Sequence, residues 1–317
     1  MDKLLLGVSF LGFGSKACNQ FATWMGAFGR DDCDWEVVAP QRADVWCVNA
    51  DVVEDRGAAG LNVRHRHADA TVEALDLRRA PGLLAVSSEQ FNAVAGAVLF
   101  DPGRQASVVA AFRTLESRLG MLRCDYALGC SLAWHQEEVA AGGVYQLIYH
   151  SRLMAVVDLR RRVAGFPLTA TPGDLLRAEW IRRPTGAGVA PDSFVRRATG
   201  DLIWTYAVRT RLDILPTRYR RKPVHFCQMP RIAIEQLEPA HIRLLAALRS
   251  GPMLLNDLAK RLAAPEPQVC RWLAALHAVE AVSVAPPPAP AAVPRGDSAV
   301  AIFARPPAGG SATQVTA

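Results

Sequence analysis

Residues 4–10 read LLLGVSF, a continuous apolar run with the length of one buried β-strand. Gly12 and Gly14 follow this run, and apolar residues then recur at steps of three and four from Ala17 to Phe28. This spacing predicts an amphipathic helix. A strand, a glycine turn and a helix in this order are typical of an α/β unit with a parallel sheet, so the following residues are expected to extend that sheet.

Four further apolar segments have the length of strands, and an amphipathic helix closes the series. The segments are residues 35–38, 44–49, 83–87 and 97–100, and the helix is residues 108–119. Because these strands are short, apolar and separated by helical or loop-like stretches, they predict a parallel sheet with both faces covered.

This N-terminal region resembles the receiver domain of two-component signalling proteins, whose functional positions can be compared one by one. The first strand ends in Ser9 and Phe10, without the carboxylate pair that holds magnesium in a receiver. The third strand ends in Asn49, where a receiver has its phosphoacceptor aspartate. Ser87 matches the hydroxyl that coordinates phosphate, but Asp101 stands in place of the receiver's lysine. The resemblance therefore implies a pseudo-receiver that packs and binds partners without accepting phosphate.

Three other interpretations of this region stay open. An α/β domain of other ancestry fits the same strand pattern, and a receiver in a shifted register would use Asp51 as its phosphoacceptor. The glycine turn at residues 12–16 is also compatible with a phosphate-binding loop for a nucleotide cofactor. In that case Ala17 stands where the dinucleotide fingerprint has its third glycine.

The composition favours a cytoplasmic, non-enzymatic protein. Seven cysteines occur at scattered positions without a C-x-x-C pair, so no zinc site and no disulfide framework is predicted. There is no secretory signal pattern, and no segment approaches the roughly 20 apolar residues of a membrane helix. None of the hydrolase or metalloprotease signatures G-x-S-x-G and H-E-x-x-H occurs. We therefore expect no catalysis, metal, cofactor or membrane insertion.

The net charge of +6 is unevenly distributed along the chain. Residues 1–150 carry 13 basic and 18 acidic side chains, whereas residues 151–231 carry 16 basic and 6 acidic ones. Nearly all basic side chains of this middle segment are arginines, which bind phosphate through two parallel hydrogen bonds. The predicted anion-binding residues are Arg209, Arg211, Arg218, Arg220, Arg221 and Lys222.

Three partners for these arginines stay open at this point. They are a nucleic-acid backbone, a phosphate-bearing ligand such as a cyclic dinucleotide, and the acidic N-terminal region of the same chain. Tyr219, which stands among the arginines, could provide a stacking surface for a base. The middle segment is otherwise predicted to be a small α+β unit, with a β-hairpin at residues 144–157 and a helix capped by Thr171.

The C-terminal region shows three helical patterns followed by a short strand. The helices are predicted at residues 239–249, 254–262 and 268–276, and the strand at residues 281–284. This order resembles a winged helix-turn-helix. The pattern that carries the resemblance is Asp257, Leu258, Ala259, Leu262, Val269, Leu273 and Leu276. The DNA-binding residues that it implies are Lys260, Gln268, Arg271 and His277.

The third helix and the residues after the strand both lack features that are typical of a DNA-binding winged helix. Arg271 is the one basic residue of this helix, and prolines 286–288 follow the strand where a wing would continue. A helix that reads DNA usually carries several basic side chains. The alternative is a winged helix that packs against the rest of the chain or binds another protein.

The sequence thus predicts an α/β protein in four parts. They are a pseudo-receiver-like domain (residues 1–122), a basic α+β segment (123–231), a winged helix-turn-helix-like module (232–285) and a disordered tail (286–317). The predicted function is that of a non-enzymatic, DNA-associated regulator. The alternative is a signalling adaptor whose arginine clusters hold a protein partner or a cyclic dinucleotide. A protein partner is expected in both cases, and a homodimer is compatible with both.

Overall fold

The computed structural model describes residues 2–27, 32–54, 60–64, 72–76, 81, 83–87, 96–184 and 190–286. Apart from residue 286, the predicted disordered tail lies outside the described residues, as does most of the predicted loop at residues 186–191. Among the described helices, none is long and apolar enough to cross a lipid bilayer.

The N-terminal unit contains a five-stranded sheet in which all strands are parallel. In chain order, the strands of this unit are β1 (Leu4–Leu11), β2 (Cys33–Val37), β3 (Val45–Val48), β4 (Val53–Glu54), β5 (Gly60–Arg64), β6 (Val72–Asp76), β7 (Leu83–Val86) and β8 (Val98–Leu99). The parallel sheet has the spatial order β2-β1-β3-β7-β8. The predicted α/β fold with a parallel sheet is therefore confirmed, and this order is compatible with a receiver-like sheet. The remaining strands, β4 to β6, form a separate antiparallel sheet that we did not predict from the sequence.

One face of the parallel sheet is covered by helices from two parts of the chain. Helices α1 (Ser15–Ala27) and α2 (Gln105–Arg118) pack on one face over a cluster of aromatic rings. In this cluster the ring centroids of Phe10 and Phe21 are 5.1 Å apart, and those of Phe13 and Phe21 are 5.2 Å apart. Helices α3 (Gly120–Trp134) and α6 (Thr199–Arg209) of the middle unit cover the beginning of β1 on this same face, where Tyr126 and Tyr206 pack with Leu4 and Leu6.

The middle unit combines an antiparallel sheet with four helices. Its elements are α3 (Gly120–Trp134), α4 (Gln136–Ala141), β9 (Val144–Tyr149), β10 (Arg152–Asp158), β11 (Val163–Pro167), α5 (Pro172–Arg177), β12 (Glu179–Arg182), β13 (Phe194–Ala198) and α6 (Thr199–Arg209). The sheet has the order β12-β9-β10-β11-β13. The predicted hairpin is β9–β10, and the hydroxyl of Thr171 accepts a hydrogen bond from the Asp174 backbone N–H at 3.2 Å, as expected for the N-cap of α5.

The C-terminal unit contains three helices and a two-stranded antiparallel sheet. Its elements are β14 (His225–Phe226), α7 (Pro239–Arg249), α8 (Leu255–Leu262), α9 (Glu266–Ala278) and β15 (Val282–Ser283). The three helices and the last strand were predicted, but β14, the partner of β15, was not. Tyr219 anchors the chain that enters this unit, because its buried hydroxyl donates a hydrogen bond to the carbonyl oxygen of Val282 at 3.0 Å.

Helix α6 contacts all three units. Leu202 is buried in the core of the middle unit, Trp204 in the core of the C-terminal unit, and Tyr206 in a cluster that includes residues of β1, β2 and α3. The helix can contribute side chains to three cores because successive residues point in different directions around its axis. The position of α6 therefore determines how the three units sit against one another.

Gly129 of α3 allows this helix to approach α6 closely. A Cβ atom at this position would collide with the carbonyl group of Leu202 and would lie 3.1 Å from the Cβ atom of Tyr206. A glycine at the crossing of two helices is therefore required here by packing, although glycine lowers helix propensity.

Replacing Gly129 with alanine is expected to lower the free energy of unfolding by at least ~2 kcal/mol, because α3 and α6 must move apart to admit the methyl group. Gly26 of α1 is the matched control, since a Cβ atom there would meet no atom within 4 Å. Gly26→Ala should raise the free energy of unfolding by up to ~1 kcal/mol through helix propensity. Urea-induced unfolding followed by tryptophan fluorescence measures both changes. A Gly129→Ala variant as stable as the wild type would contradict the close approach.

Candidate anion-binding groove

Arg209, which the sequence suggested as an anion-binding residue, is engaged inside the molecule. Its Nη1 and Nη2 atoms donate hydrogen bonds to the two carboxylate oxygens of Asp44 at 2.8 and 2.7 Å. Nη1 also donates to the carbonyl oxygen of Leu5 at 3.2 Å, and the carboxylate of Asp44 accepts a further hydrogen bond from the Gly7 N–H at 2.8 Å. Arg209 therefore joins the end of α6 to the parallel sheet, and this geometry removes it from the candidates for an external anion.

Further polar contacts join the N-terminal unit to the rest of the chain. Most of them pair an acidic residue of the first unit with a basic or hydroxyl residue farther along the chain. They are Arg211–Asp34 (2.9 Å), Arg123–Asp32, Thr210–Asp2 and Arg42–Glu238 (3.3 Å). Some arginines of the basic middle segment thus pair with acidic residues of the N-terminal region. This pairing was one of the three partners that the sequence left open.

The cluster at residues 218–222 is exposed except for its aromatic residue. Arg218, Arg221 and Lys222 lie at the surface, and no ion pair of theirs is present in the described part of the chain. Tyr219 is only 1% exposed, so it cannot provide the stacking surface that the sequence suggested. Burial raises the pKa of its hydroxyl to about 12, although the positive charge of Arg218 acts in the opposite direction.

Most of α9, the predicted recognition helix, is covered. Its exposed residues are Glu266, Pro267, Gln268 and Arg271. Ala274 and Ala275 are buried in the core that Trp204 and Ala207 of α6 enter. A recognition helix places an exposed face of several turns in the major groove. Here α6 packs against that helix, and its exposed part is limited to the first turns.

The predicted DNA-binding residues do not form one surface. Lys260 is exposed on α8, whereas Gln268 and Arg271 lie at the start of α9. His277 is half-buried, and its Nδ1 atom lies 2.8 Å from the hydroxyl of Tyr219. Burial lowers the pKa of His277, and the charge of Arg218 lowers it further. His277 therefore has an internal role rather than one at a phosphate backbone.

Two adjoining pockets, which together we call the groove, lie beside the C-terminal end of α6 and the first turns of α9. Pro267 and Arg271 border both of its parts, which we call the arginine part and the histidine part. The arginine part has a volume of about 240 Å³, and its charged residues are Arg211, Asp213, Arg220, Glu266 and Arg271. The histidine part has a volume of about 250 Å³, and its polar residues include Arg42, Glu238, His241, Gln268 and Arg271.

Three arginines from separate segments of the chain border the arginine part. Arg211 is paired with Asp34 at 2.9 Å, and Arg220 is paired with Asp213, which also borders the groove. Within the described residues, Arg271 has no ion pair. A guanidinium carries five N–H donors, so a single ion pair leaves donors for a ligand. This part of the groove is therefore suited to bind phosphate or carboxylate.

No activated nucleophile was found at this part of the groove. Cys270 borders it, but burial raises the pKa of its thiol, with Arg220 as the largest opposing influence. No disulfide joins the seven cysteines, all of which lie in the described ranges, and burial likewise raises the pKa of Cys124 to about 11 and of Cys130 to about 12. In the described ranges, no group of three His, Cys, Asp or Glu side chains is arranged to hold a metal ion.

His241 is the most unusual residue of the histidine part, and we did not predict a role for it from the sequence. Its side chain is 2% exposed, and its Nδ1 atom has no hydrogen-bond partner. The ring packs edge to face against Trp204 at 4.8 Å between centroids. Burial lowers its pKa to about 4, and the charge of Arg42 contributes, so the ring is neutral at pH 7. In the sequence, the one indication that His241 is buried was its position on the apolar face of a predicted helix.

At the edge of the parallel sheet where a receiver binds phosphate, the corresponding residues form hydrogen bonds with one another. Asn49 donates from Nδ2 to the carbonyl oxygen of Gly12 at 3.2 Å, and its Oδ1 atom accepts from the hydroxyl of Ser87 at 3.2 Å. In the glycine turn, the ring of Phe13 is buried in the aromatic core. These positions therefore pair with one another rather than form an open phosphate site.

Comparison of the chain with protein-family models, with curated proteins and with solved structures finds no match.

Acidification is expected to destabilise the protein through His241. Its pKa is about 4 in the folded chain and near the ordinary value of 6.5 in the unfolded chain, so protons bind the unfolded chain first as the pH falls. The contribution of His241 to stability is complete above pH 6.5. It decreases by up to ~1.4 kcal/mol per pH unit as the pH falls from there towards 4.

The free energy of unfolding, measured in urea between pH 7 and 5, tests this contribution. His241→Phe keeps an aromatic ring against Trp204 but cannot be protonated, so it should reduce the pH dependence. His150→Asn, a change in an exposed hairpin turn, is the control and should leave the pH dependence unchanged. If His241→Phe and the wild type lost stability equally on acidification, the assignment to His241 would be wrong.

Proposed function

We propose that this protein is a non-enzymatic regulator that binds a phosphate-bearing small ligand in the groove between α6 and α9. The observation that carries the proposal is the convergence of Arg211, Arg220 and Arg271 on one cleft. In this proposal the N-terminal unit is a pseudo-receiver, and the C-terminal unit is a winged-helix-type module that packs within the chain. It corresponds to the adaptor alternative of the sequence analysis rather than to the DNA-associated regulator.

The positions of the three arginines favour a ligand over a solvated surface. Arg211 lies two residues after the end of α6, Arg220 ends a turn that the buried Tyr219 anchors, and Arg271 lies on α9. Since Arg220 and Arg271 belong to packed elements and Arg211 lies close to the end of one, binding would require little ordering of the chain, which favours affinity. Guanidinium groups match the geometry of phosphate oxygens, so phosphate is the preferred anion.

The contacts of Arg211 provide a link between ligand and regulation. Its guanidinium bonds to Asp34 in β2, and the neighbouring Arg209 bonds to Asp44 beside β3. A phosphate at the remaining donors of Arg211 would bring a second anion to a guanidinium that is already paired with Asp34, and would weaken that pair. Ligand binding would thereby change the contact between the groove and the pseudo-receiver. This is a regulatory route that requires no phosphorylation of the N-terminal unit.

Binding of inorganic pyrophosphate to the full chain, measured by calorimetry, tests the arginine part directly. Arg271→Gln removes a guanidinium that makes no ion pair in the described part of the chain, so it should weaken binding about tenfold or more without unfolding the protein. Arg113→Gln, an exposed change on α2, is the matched control and should bind as the wild type does. Equal affinity of both variants for pyrophosphate would overturn the proposal.

DNA binding is the second candidate, and the exposed Arg218, Arg221 and Lys222 are the observation that favours it. Under our proposal, any binding of random duplex DNA is weak, falls steeply with salt and depends on these three residues. The double variant Gln268→Ala/Arg271→Ala should then bind duplex DNA as the wild type does, because α6 covers most of α9. Fluorescence anisotropy across a salt series measures this. A large loss of DNA affinity in the double variant would instead favour base readout by α9.

A further inference from the structure

The histidine part of the groove holds a buried polar atom without a partner. His241 Nδ1 is inaccessible to solvent and makes no hydrogen bond, and the side chain borders the cavity. Buried polar atoms in folded proteins nearly always have a partner, and exceptions call for an explanation. Because a neutral imidazole has one donor and one acceptor nitrogen, a ligand with hydrogen-bonding groups in this cavity could complete its bonding after a small adjustment of the ring.

The other walls of the cavity suit a flat heterocycle. Trp272, Val208 and Pro265 provide apolar surface. Gln268 has one carboxamide with both donor and acceptor capacity, and Glu238, held by Arg42 at 3.3 Å, provides acceptors. Apolar walls with a few hydrogen-bonding groups are typical of small-molecule sites. A phosphate alone would not use these groups.

The size and position of the two parts restrict the ligand further. Each part has a volume near 250 Å³ or less, at or below the small end of ligand pockets, so neither accommodates a dinucleotide. Arg271 and Pro267 border both parts, so one molecule can lie across Arg271 with a group in each. A phosphate on one side and a heterocyclic base on the other are the two ends of a mononucleotide.

We infer that the ligand is a nucleoside monophosphate whose phosphate binds Arg211, Arg220 and Arg271 and whose base enters the histidine part beside His241 and Gln268. This inference rests on the proposed function, because it adds a base to the phosphate site. Guanine is the preferred base. It presents neighbouring N–H donors and an acceptor on one edge, which the carboxylate of Glu238 and the carboxamide of Gln268 match. This ligand is smaller than the cyclic dinucleotide that the sequence suggested.

Calorimetry on the full chain with three probes separates the inference from the proposed function. The probes are guanosine 5′-monophosphate, ribose 5-phosphate and inorganic pyrophosphate. We expect guanosine 5′-monophosphate to bind about tenfold or more tightly than ribose 5-phosphate, which lacks the base. Equal affinity of these two, with pyrophosphate still bound, would overturn the base site and leave the phosphate site intact. Failure of all three probes to bind would overturn both.

Two variants test the residues of the base site. His241→Phe should abolish the preference for guanosine 5′-monophosphate over ribose 5-phosphate while leaving the affinity for ribose 5-phosphate unchanged. Gln268→Ala, a change at an exposed residue, should reduce the same preference and keeps the test valid if the buried variant does not fold. His150→Asn is the control and should retain the full preference. A preference that survived both the His241 and the Gln268 changes would place the base elsewhere.

Discussion

The pair Arg209–Asp44 fixes the end of α6, and much of the rest of the molecule depends on where that helix ends. Both carboxylate oxygens of Asp44 accept from the guanidinium, and the same carboxylate accepts from the backbone of β1. Because Arg211 follows two residues later and Val208 borders the histidine part, this contact also places one wall of the groove. The same helix covers the face of α9 that a DNA reader would leave open.

The groove is assembled from segments that are far apart in sequence. Arg42 comes from the N-terminal unit, Arg211 and Arg220 come from the chain after α6, and Arg271 comes from α9. The arginines that look like one cluster in the sequence have separate roles in the structure. Arg209 is internal and Arg221 is exposed, whereas Arg220 borders the cleft. Proximity along the chain was therefore a poor guide to shared function.

Sequence patterns predicted elements well where burial produces either a continuous apolar run or a strong apolar period. The five parallel strands and the three C-terminal helices were located in this way, because β1 is buried almost throughout and α9 turns one side to a core. The short pieces β4 and β14 carry too few residues for a period to show. The partner of Arg209, the covering of α9 and the unpaired nitrogen of His241 could not be predicted, since each depends on tertiary contacts. The position of His241 on the apolar face of a predicted helix was the one local indication of the base site.

Because α6 contributes side chains to three cores, the chain cannot be divided on either side of this helix without exposing a core. A cut before α6 would separate Leu202 and Tyr206 from the cores of the first two units, and a cut after it would separate Trp204 from the C-terminal core. Neither fragment would keep its interior covered, so truncated forms should be aggregation-prone rather than modular. Apparent domain borders in the sequence are thus not places where this protein can be dissected or recombined.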